Sequence, residues 1–378
     1  MRALVALLLG VALCNVGSAW LPSAGMPRIG VARDGHSFAA AGFTVPFHPF
    51  GFNYDHDEEG RLLEDYWVDE WSQVVADFEA MRALGANVVR VHLQLARFMR
   101  GPREPDSVAL DRLDALLRLA ERLRLRLDLT GLGAYRRADV PAWYDALDED
   151  ARWETQAAFW RAIGEVGTRS PAVFCYDLMN EPVVPAGRVE DGDWLPGAPV
   201  AGMQYVQFVT LDPAGRSPVS VALAWTRRMA AAVRTADPRA LVTVGLVPWS
   251  LDRPGLQSGF VPQQIAPVLD FVSVHLYPES LHLDLALETL RGFAVGKPLL
   301  VEEIFPLYAT AQELEFFQAE AKHEVSGWLG FFRPFAWPIA QRANGRGTGI
   351  TPASGIFAIA DGGVRDPNTI GSSRIRTR

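Results

Sequence analysis

Cysteine is nearly absent from this chain, with two residues, Cys14 and Cys175, among 378. A disulfide framework needs several paired cysteines, so the sequence does not fit the small secreted domains that disulfides hold together. Hydrophobic residues make up 49% of the chain, which is enough apolar material for a large core. We therefore expect stability to come from core packing.

An excess of positive charge is also lacking. Lysine and arginine contribute 36 residues against 44 aspartates and glutamates, which gives a formal net charge of −8. Proteins that bind nucleic acids or anionic membranes need a clustered basic surface. The composition therefore argues against both partners and favours a neutral or weakly charged ligand.

Long hydrophobic runs are missing, and the one apolar stretch that stands out lies at the N-terminus. It runs from Ala3 to Leu13, follows Arg2 and leads to small residues at 17–19. A spanning helix needs roughly 20 apolar residues, so this shorter stretch is typical of a secretory signal. We predict a signal peptide over 1–19, cleaved after Ala19, and a secreted or periplasmic protein with no membrane contact once it is cleaved.

Two alternatives for the N-terminus stay open. One is retention of 1–19 as a membrane anchor. The other is lipidation of Cys14, although Leu13 is large for the position before a lipidated cysteine. If the signal is removed, Cys175 is the only cysteine left and the mature protein has no disulfide.

Several motifs that mark cofactor or metal enzymes are absent from the sequence. No Walker loop and no G-x-S-x-G elbow is present, and the glycine-rich turn that starts at Gly131 has Arg136 where a third glycine would stand. An open nucleotide-binding sheet is therefore the less favoured alternative for the fold. His56, His92 and Asp128 show no metal-ligand spacing, so we expect neither a metal nor a cofactor.

Strand-like and helix-like segments alternate along most of the chain. The strand-like runs end near Tyr54, Leu93, Gly131, Glu181, Val247, Pro278, Phe305 and Trp337. Helical patterns begin at Trp71 and Leu110, and a capping box opens another helix at Thr310. Eight strands that alternate with helices predict a closed (β/α)8 TIM barrel.

The domain organisation follows from the same pattern. We predict one barrel domain over 20–360, with long βα loops and a hairpin that turns at Asp34-Gly35 near its start. A polar, loose tail is expected over 361–378. We expect the protein to be a monomer.

Polar and aromatic side chains collect at the carboxyl ends of the strands, where barrel enzymes carry their chemistry. They are Asn53, Tyr54, Arg90, His92, Asp128, Thr130, Asn180, Glu181, His275, Tyr277, Glu302, Glu303 and Trp337. Strand alternation lets only one of Glu302 and Glu303 point inward, and we predict Glu303, with Glu302 outside among the helices. A pair of carboxylates beside arginine, histidine and aromatic groups is suited to glycoside hydrolysis.

Five of these pieces, in strand order, resemble glycoside hydrolase family 5 and its clan of retaining barrel enzymes. They are "GANVVRVHL", "DLMNEP", "VHLYP", "KPLLVEE" and Trp337. The resemblance implies that Glu181 is the acid/base and Glu303 the nucleophile. It also implies supporting or substrate-binding roles, which fall to Arg90, Asn180, His275, Tyr277, Trp337, His92 and Asn53.

The resemblance implies a β-glycoside hydrolase that cleaves a carbohydrate of β-mannan or β-glucan type by double displacement. Phe305 stands where many members have glycine, and Thr130 stands where cellulase-like members have histidine. The second difference weakens a cellulase assignment. A transglycosylase with the same site, a barrel that binds sugar without cleaving it, and a metal-dependent hydrolase are the alternatives.

Overall fold

The computed structural model describes residues 25–40, 46–197, 199–251 and 258–332. The predicted signal peptide 1–19 with Cys14, the tail 361–378 and Trp337 lie outside these ranges. Predictions about those parts of the chain stay predictions.

The elements of the described chain alternate as the sequence pattern predicts. The strands are β1 (Ile29–Val31), β2 (Phe38–Ala40), β3 (Pro46–Phe47), β4 (Phe50–Tyr54), β5 (Val88–Gln94), β6 (Met99–Gly101), β7 (Glu104–Pro105), β8 (Arg126–Gly133), β9 (Val173–Asn180), β10 (Pro182–Val183), β11 (Gln207–Phe208), β12 (Val242–Leu246), β13 (Val272–His275), β14 (Leu299–Glu303) and β15 (Gly327–Phe331). The α-helices are α1 (Leu63–Tyr66), α2 (Trp71–Ala83), α3 (Leu95–Phe98), α4 (Ser107–Leu123), α5 (Ala142–Asp145), α6 (Glu149–Gly167), α7 (Pro218–Ala236), α8 (Pro262–Ile265), α9 (Leu283–Gly292) and α10 (Ala311–Ala321). Short 3-10 turns cover Arg137–Asp139, Pro248–Ser250 and Ala266–Val268.

A closed barrel of eight parallel strands forms the centre of the molecule, which confirms the predicted fold. Its strands follow the order β4-β5-β8-β9-β12-β13-β14-β15, and β15 pairs with β4 to close the ring. The strands are almost entirely buried because helices cover the outside and side chains fill the inside. Their carboxyl ends therefore meet on one face, where the βα loops stand.

Helices α2 and α10 begin where the sequence signals predict, and α4 begins three residues before the pattern predicted from Leu110. Helix α4 begins after Asp106, whose carboxylate accepts hydrogen bonds from two backbone amides, and α10 begins after Thr310 with both bonds of the predicted capping box present. Leu314 and Phe317 are fully buried against the barrel. Among the described residues, no helix is both long and apolar enough to cross a membrane.

The predicted hairpin is present as β1 and β2, which pair antiparallel around Asp34. Its Phe38 is fully buried and packs edge-on against Phe174 and Phe271, with ring centroids 5.2 and 5.1 Å apart. These rings lie at the amino ends of the barrel strands, together with the buried free thiol of Cys175. The hairpin therefore closes the end of the barrel opposite the βα loops.

Candidate active site

A cavity of about 580 Å³ opens at the carboxyl ends of the strands. It is lined by Glu181, Tyr277 and Glu303 of the predicted residues, and by Asp55, His56, Val200, Tyr205, Trp249, Leu285, Phe305 and Tyr308 among others. Arg90, Asn53, His92, Asn180 and His275 lie behind this lining and are buried. The structure thus brings these residues together, whereas Tyr54 faces helix α2, where its hydroxyl donates to Asp77 at 2.8 Å.

Arg90 on β5 is the centre of the polar network below the cavity. Its guanidinium donates hydrogen bonds to Asn53 at 2.9 Å, Asp177 at 2.7 Å and Asn180 at 3.0 Å. The side chain is fully buried, yet the charges of the surrounding carboxylates overcome burial and keep its pKa well above the ordinary value. Arg90 is therefore a permanent buried cation that joins several strands.

Glu303 at the end of β14 is held at both carboxylate oxygens. Arg90 donates to Oε1 at 2.5 Å, and the Tyr277 hydroxyl donates to Oε2 at 2.5 Å. Burial and the charge of Glu303 raise the pKa of Tyr277 well above its usual value, so the hydroxyl stays protonated and remains a donor. Arg90 and Tyr277 together hold the Glu303 carboxylate in one orientation, with one edge facing the cavity.

Glu181 follows β9 in an unusual backbone conformation, with φ of 47°. A non-glycine residue in this left-handed region costs energy and persists only where its surroundings impose it. Its amide donates to the Gly245 carbonyl at 3.1 Å, its carbonyl accepts from the Gln207 amide at 3.3 Å, and Pro182 continues directly into β10. The turn therefore aims the Glu181 side chain into the cavity.

His275 at the end of β13 lies between the two carboxylates. Its Nδ1 is 2.9 Å from Oε1 of Glu181 and 3.5 Å from Oε2 of Glu303. Polar atoms of these three side chains all lie within 4.8 Å of one another. Burial disfavours the imidazolium, but the charge of Glu303 and hydrogen bonds to carboxylates outweigh it and raise the pKa of His275 to about 10.

Gly245 on β12 makes room for this arrangement. A Cβ atom added there would stand 2.9 Å from Nε2 of His275 and 3.2 Å from Nη2 of Arg90. Its amide also donates to Asp177 at 2.7 Å. A larger residue at this position would therefore displace one of the two cationic side chains.

Asn180, Asn53 and His92 take supporting positions away from the cavity surface. Asn180 accepts from Arg90 and donates to the Tyr205 carbonyl at 3.1 Å. Asn53 donates to the Glu302 carbonyl on β14 and to the Gly330 carbonyl on β15, and its Oδ1 lies 3.3 Å from Nε2 of His92. Burial and the charge of Arg90 hold the pKa of His92 well below its usual value, so this imidazole is neutral.

The prediction that Glu302 points outward among the helices is wrong. Glu302 is fully buried inside the barrel, with Oε2 3.8 Å from Arg90 and 3.6 Å from Nε2 of His275. The register between β13 and β14 shifts at the pairing of His275 with Glu303. Strict alternation therefore ends at this irregularity, and both glutamates face inward, Glu302 deep in the barrel and Glu303 at its mouth.

Other functional candidates were missed by the sequence reasoning. Asp177 on β9 is fully buried against Arg90, and its only sequence signal is a carboxylate inside an apolar run. Asp55 and His56 form an ion pair of 2.8 Å at the rim of the cavity. The charge of His56 outweighs burial and lowers the pKa of Asp55 to about 2.

Among the described residues, Glu181, His275 and Glu303 are also spaced closely enough to meet a single cation. Their facing atoms are engaged in hydrogen bonds with one another, with Arg90 and with Tyr277. This network accounts for their spacing, so we assign these side chains to hydrogen bonding and not to a metal.

The long segment 183–220 forms the cavity wall only in part. Val200 and Tyr205 line the cavity. Trp194 is instead buried and stacks on the Arg152 guanidinium, 3.9 Å from its ring centroid, while Tyr144 covers the other face of Arg152 at 3.6 Å. Trp194 therefore anchors the segment to helix α6.

Comparison with known proteins gives similarity in structure but not in sequence. No family model matches the chain, and no curated protein matches it. The exo-β-1,4-mannosidase Op5Man5 from Opitutaceae bacterium strain TAV5 superposes with a TM-score of 0.63 at 21% identity, over 82% of this chain and 56% of that one. The chain thus spans little more than half of that relative.

Two smaller relatives match over most of both chains. A β-1,4-D-mannanase from Cryptopygus antarcticus has a TM-score of 0.59 at 15% identity and covers 90% of this chain and 96% of its own. A GH5_18 protein from Streptomyces cattleya, in complex with Manβ1-4GlcNAc, has a TM-score of 0.57 at 18% identity and covers 77% and 74%. This chain therefore has the barrel fold of family 5 glycoside hydrolase structures.

Proposed function

We propose that this chain is a retaining β-glycoside hydrolase in which Glu181 is the acid/base and Glu303 the nucleophile. The observation that carries the proposal is that one carboxylate oxygen of Glu181 lies within 4.8 Å of one of Glu303, across the mouth of the cavity. Retaining enzymes hold their two carboxyl groups about 5–5.5 Å apart, whereas inverting enzymes leave about 6.5–9.5 Å for a water molecule. The short gap supports double displacement.

The first step is attack by Glu303 on the anomeric carbon while Glu181 gives its proton to the leaving oxygen. Arg90 and Tyr277 hold the attacking carboxylate in place, so little reorganisation is needed. A covalent glycosyl-enzyme results. Glu181, now a carboxylate, then takes a proton from water as that water attacks the anomeric carbon and releases Glu303.

The substrate that we propose is a β-mannoside of polysaccharide or oligosaccharide length, with a β-glucan as the less favoured choice. The relatives with the same barrel carry the names of mannosidases and mannanases, and one binds Manβ1-4GlcNAc. Exposed rings of Trp249 and Tyr308 line the cavity beside Leu285. Such surfaces suit the apolar faces of sugar rings.

A substrate panel with stereochemical analysis tests the proposal. β-Mannan, β-glucan, manno- and cello-oligosaccharides and aryl β-glycosides are incubated with the purified chain, and the first product is followed by proton NMR. We expect β-mannosides to be cleaved and the β-anomer to appear before mutarotation. Initial release of the α-anomer would contradict double displacement.

Product sizing separates the alternatives. Products longer than the starting oligosaccharide indicate a transglycosylase, which uses the same residues but passes the glycosyl group to a sugar acceptor. Binding without turnover on the whole panel would identify a sugar-binding barrel. The double variant Glu181→Gln/Glu303→Gln is the control. Activity that survives in it comes from a contaminant.

We also propose that the chain is exported through a signal peptide at 1–19. The charge, apolar stretch and small residues of that segment support this proposal. N-terminal sequencing of exported protein should begin at Trp20, and a mature N-terminus at Met1 would contradict export by cleavage.

A further inference from the structure

The cavity above the proposed catalytic pair has a polar side and an apolar side. On the polar side, Asp55 and His56 follow β4 and form their ion pair of 2.8 Å. On the apolar side, the lining comes from the loops that follow β12, β13 and β14. In the ring of eight strands, β4 and β12 lie opposite each other. The two sides of the cavity therefore offer a ligand different chemistry.

The apolar side leaves large hydrophobic side chains uncovered. Trp249, Leu285 and Tyr308 are 40%, 50% and 47% exposed, and all three line the cavity. Aliphatic groups of Leu276, Ala286 and Leu307 continue the same surface. The side chains there that can form hydrogen bonds, among the described residues, include Glu279, His282, Thr289 and Tyr308. An exposed apolar surface in a cleft is a common sign of a ligand site.

The loops that carry this surface are fixed to each other. The Ser280 amide and hydroxyl both donate to the Tyr308 carbonyl, at 3.1 and 3.2 Å. The same hydroxyl lies 2.9 Å from a carboxylate oxygen of Glu313, which caps helix α10. The apolar side is therefore a preformed wall, so a ligand does not have to order it on binding.

The position of Glu181 shows which part of a substrate reaches this wall. Glu181 follows β9, which pairs with β12 and stands three strands away from β4. In the proposed mechanism Glu181 protonates the leaving oxygen, so the leaving group lies on the β12 side and the sugar on the β4 side. Asp55 and His56 suit the hydroxyls of that sugar. The apolar wall then receives the group that departs.

We propose that the chain also cleaves β-glycosides whose leaving group is a linear alkyl chain, which lies along Leu285, Trp249 and Tyr308. The inference rests on the proposed function and adds a class of leaving group to it. A sugar in this place can stack on the two rings, but Leu285 and its aliphatic neighbours offer no partner to hydroxyls that lose water there. An alkyl chain has no such groups, and its burial against these side chains is favourable.

The reaction is the proposed hydrolysis with an alcohol as the first product. Glu303 bonds to the anomeric carbon as the bond from that carbon to the glycosidic oxygen breaks, and Glu181 gives this oxygen its proton. The alcohol leaves along the apolar wall. The oxygen of a water molecule then bonds to the anomeric carbon, one proton of that water returns to Glu181, and Glu303 is released. One water is consumed, and one alcohol and one free sugar are formed.

Alkyl β-mannosides of increasing length test the proposal. Methyl, butyl, hexyl and octyl β-mannosides are supplied below the concentrations at which they form micelles, and released mannose is measured. We expect KM to fall about two- to fourfold for each methylene group that reaches the wall, with kcat nearly constant because the alcohols are similar leaving groups. Release of mannose with a KM that does not depend on chain length overturns the inference and leaves the proposed function intact.

Binding to a variant that cannot cleave separates the two proposals. In Glu303→Gln, calorimetry measures the affinity for methyl and octyl β-mannoside without turnover. We expect the octyl compound to bind at least about tenfold more tightly. Such a preference in a chain that releases no mannose would place the failure in the proposed function and not in the apolar wall. Equal affinity for the two compounds overturns the inference.

Leu285→Asn and Leu281→Asn are the matched variants. Both leucines are exposed near the start of α9, but Leu285 lines the cavity and Leu281 does not. Leu285→Asn should raise KM for octyl β-mannoside at least about fivefold and leave KM for the methyl compound unchanged. Leu281→Asn should change neither value. An unchanged KM for the octyl compound in Leu285→Asn, or an equal rise in both variants, overturns the assignment of the wall.

Discussion

The Tyr277 hydroxyl donates a 2.5 Å hydrogen bond to the oxygen of Glu303 that Arg90 leaves free. Tyr277 lies two residues beyond the end of β13, so its loop brings this donor over the cavity mouth. The bond fixes how the carboxylate faces the anomeric carbon in the proposed first step. The position of the nucleophile thus depends on a residue outside the regular barrel.

Tyr277→Phe should lower kcat by about ten- to a hundredfold, because a hydrogen bond to a charged group contributes about 1.5–3 kcal/mol. The ring stays, so the melting temperature should change little. Tyr205→Phe is the matched control, since its hydroxyl contacts the Met203 sulfur and not a glutamate. Equal kcat losses in the two variants would contradict the role of the Tyr277 hydroxyl in positioning Glu303.

Arg90→Lys should cost both activity and stability. Lysine keeps the charge, but its single ammonium group cannot reach Asn53, Asp177, Asn180 and Glu303 together. Each buried acceptor that is left without its donor typically costs about 1–3 kcal/mol. We expect a clear fall in the melting temperature and a kcat loss of at least about a hundredfold.

Arg100→Lys serves as the control for that substitution, because Arg100 lies at the surface, where its ion pair with Asp106 has little effect on stability. Differential scanning calorimetry and steady-state kinetics measure the two effects. An Arg90→Lys protein with normal kcat would show that the guanidinium geometry is unnecessary.

Trp194→Ala should mainly lower stability and Tyr205→Ala should mainly raise KM, although both residues lie in the segment 183–220. Trp194 is buried on Arg152, and truncation of a buried aromatic residue costs about 3–5 kcal/mol. Tyr205 lines the cavity, so its loss should raise KM for long oligosaccharides more than it lowers the melting temperature. Melting curves and KM against substrate length separate the two roles. A stable Trp194→Ala protein with altered KM would contradict this division.

The fold and most of the site were predictable from the sequence because they depend on local patterns. Strand ends at Tyr54 and near Leu93, Gly131 and Glu181 match β4, β5, β8 and β9 to within about two residues. Once a barrel is inferred, the polar residues at these ends must converge. Arg90, Glu181, His275 and Glu303 accordingly meet at one place.

What the sequence could not provide depends on irregular or long-range geometry. Alternation excluded Glu302 because it assumes a regular strand, and the register shift beside His275 is not visible in the residue types. Likewise, Trp194 is buried because Arg152, 42 positions earlier, presents its guanidinium from α6. Neither the register shift nor the contact between Trp194 and Arg152 has a local sequence signature.

The central claim, that Glu303 attacks and Glu181 protonates, is tested most directly by azide rescue with an activated aryl β-glycoside. Glu181→Ala should form its glycosyl-enzyme, because a good leaving group needs little protonation, and azide should then give a product of retained configuration. In Glu303→Ala, azide should enter the vacated space and give the inverted α-glycosyl azide, while Glu302→Ala should give no azide product by that route. Formation of the α-azide by Glu302→Ala, or absence of rescue in both Glu181→Ala and Glu303→Ala, would contradict the assignment.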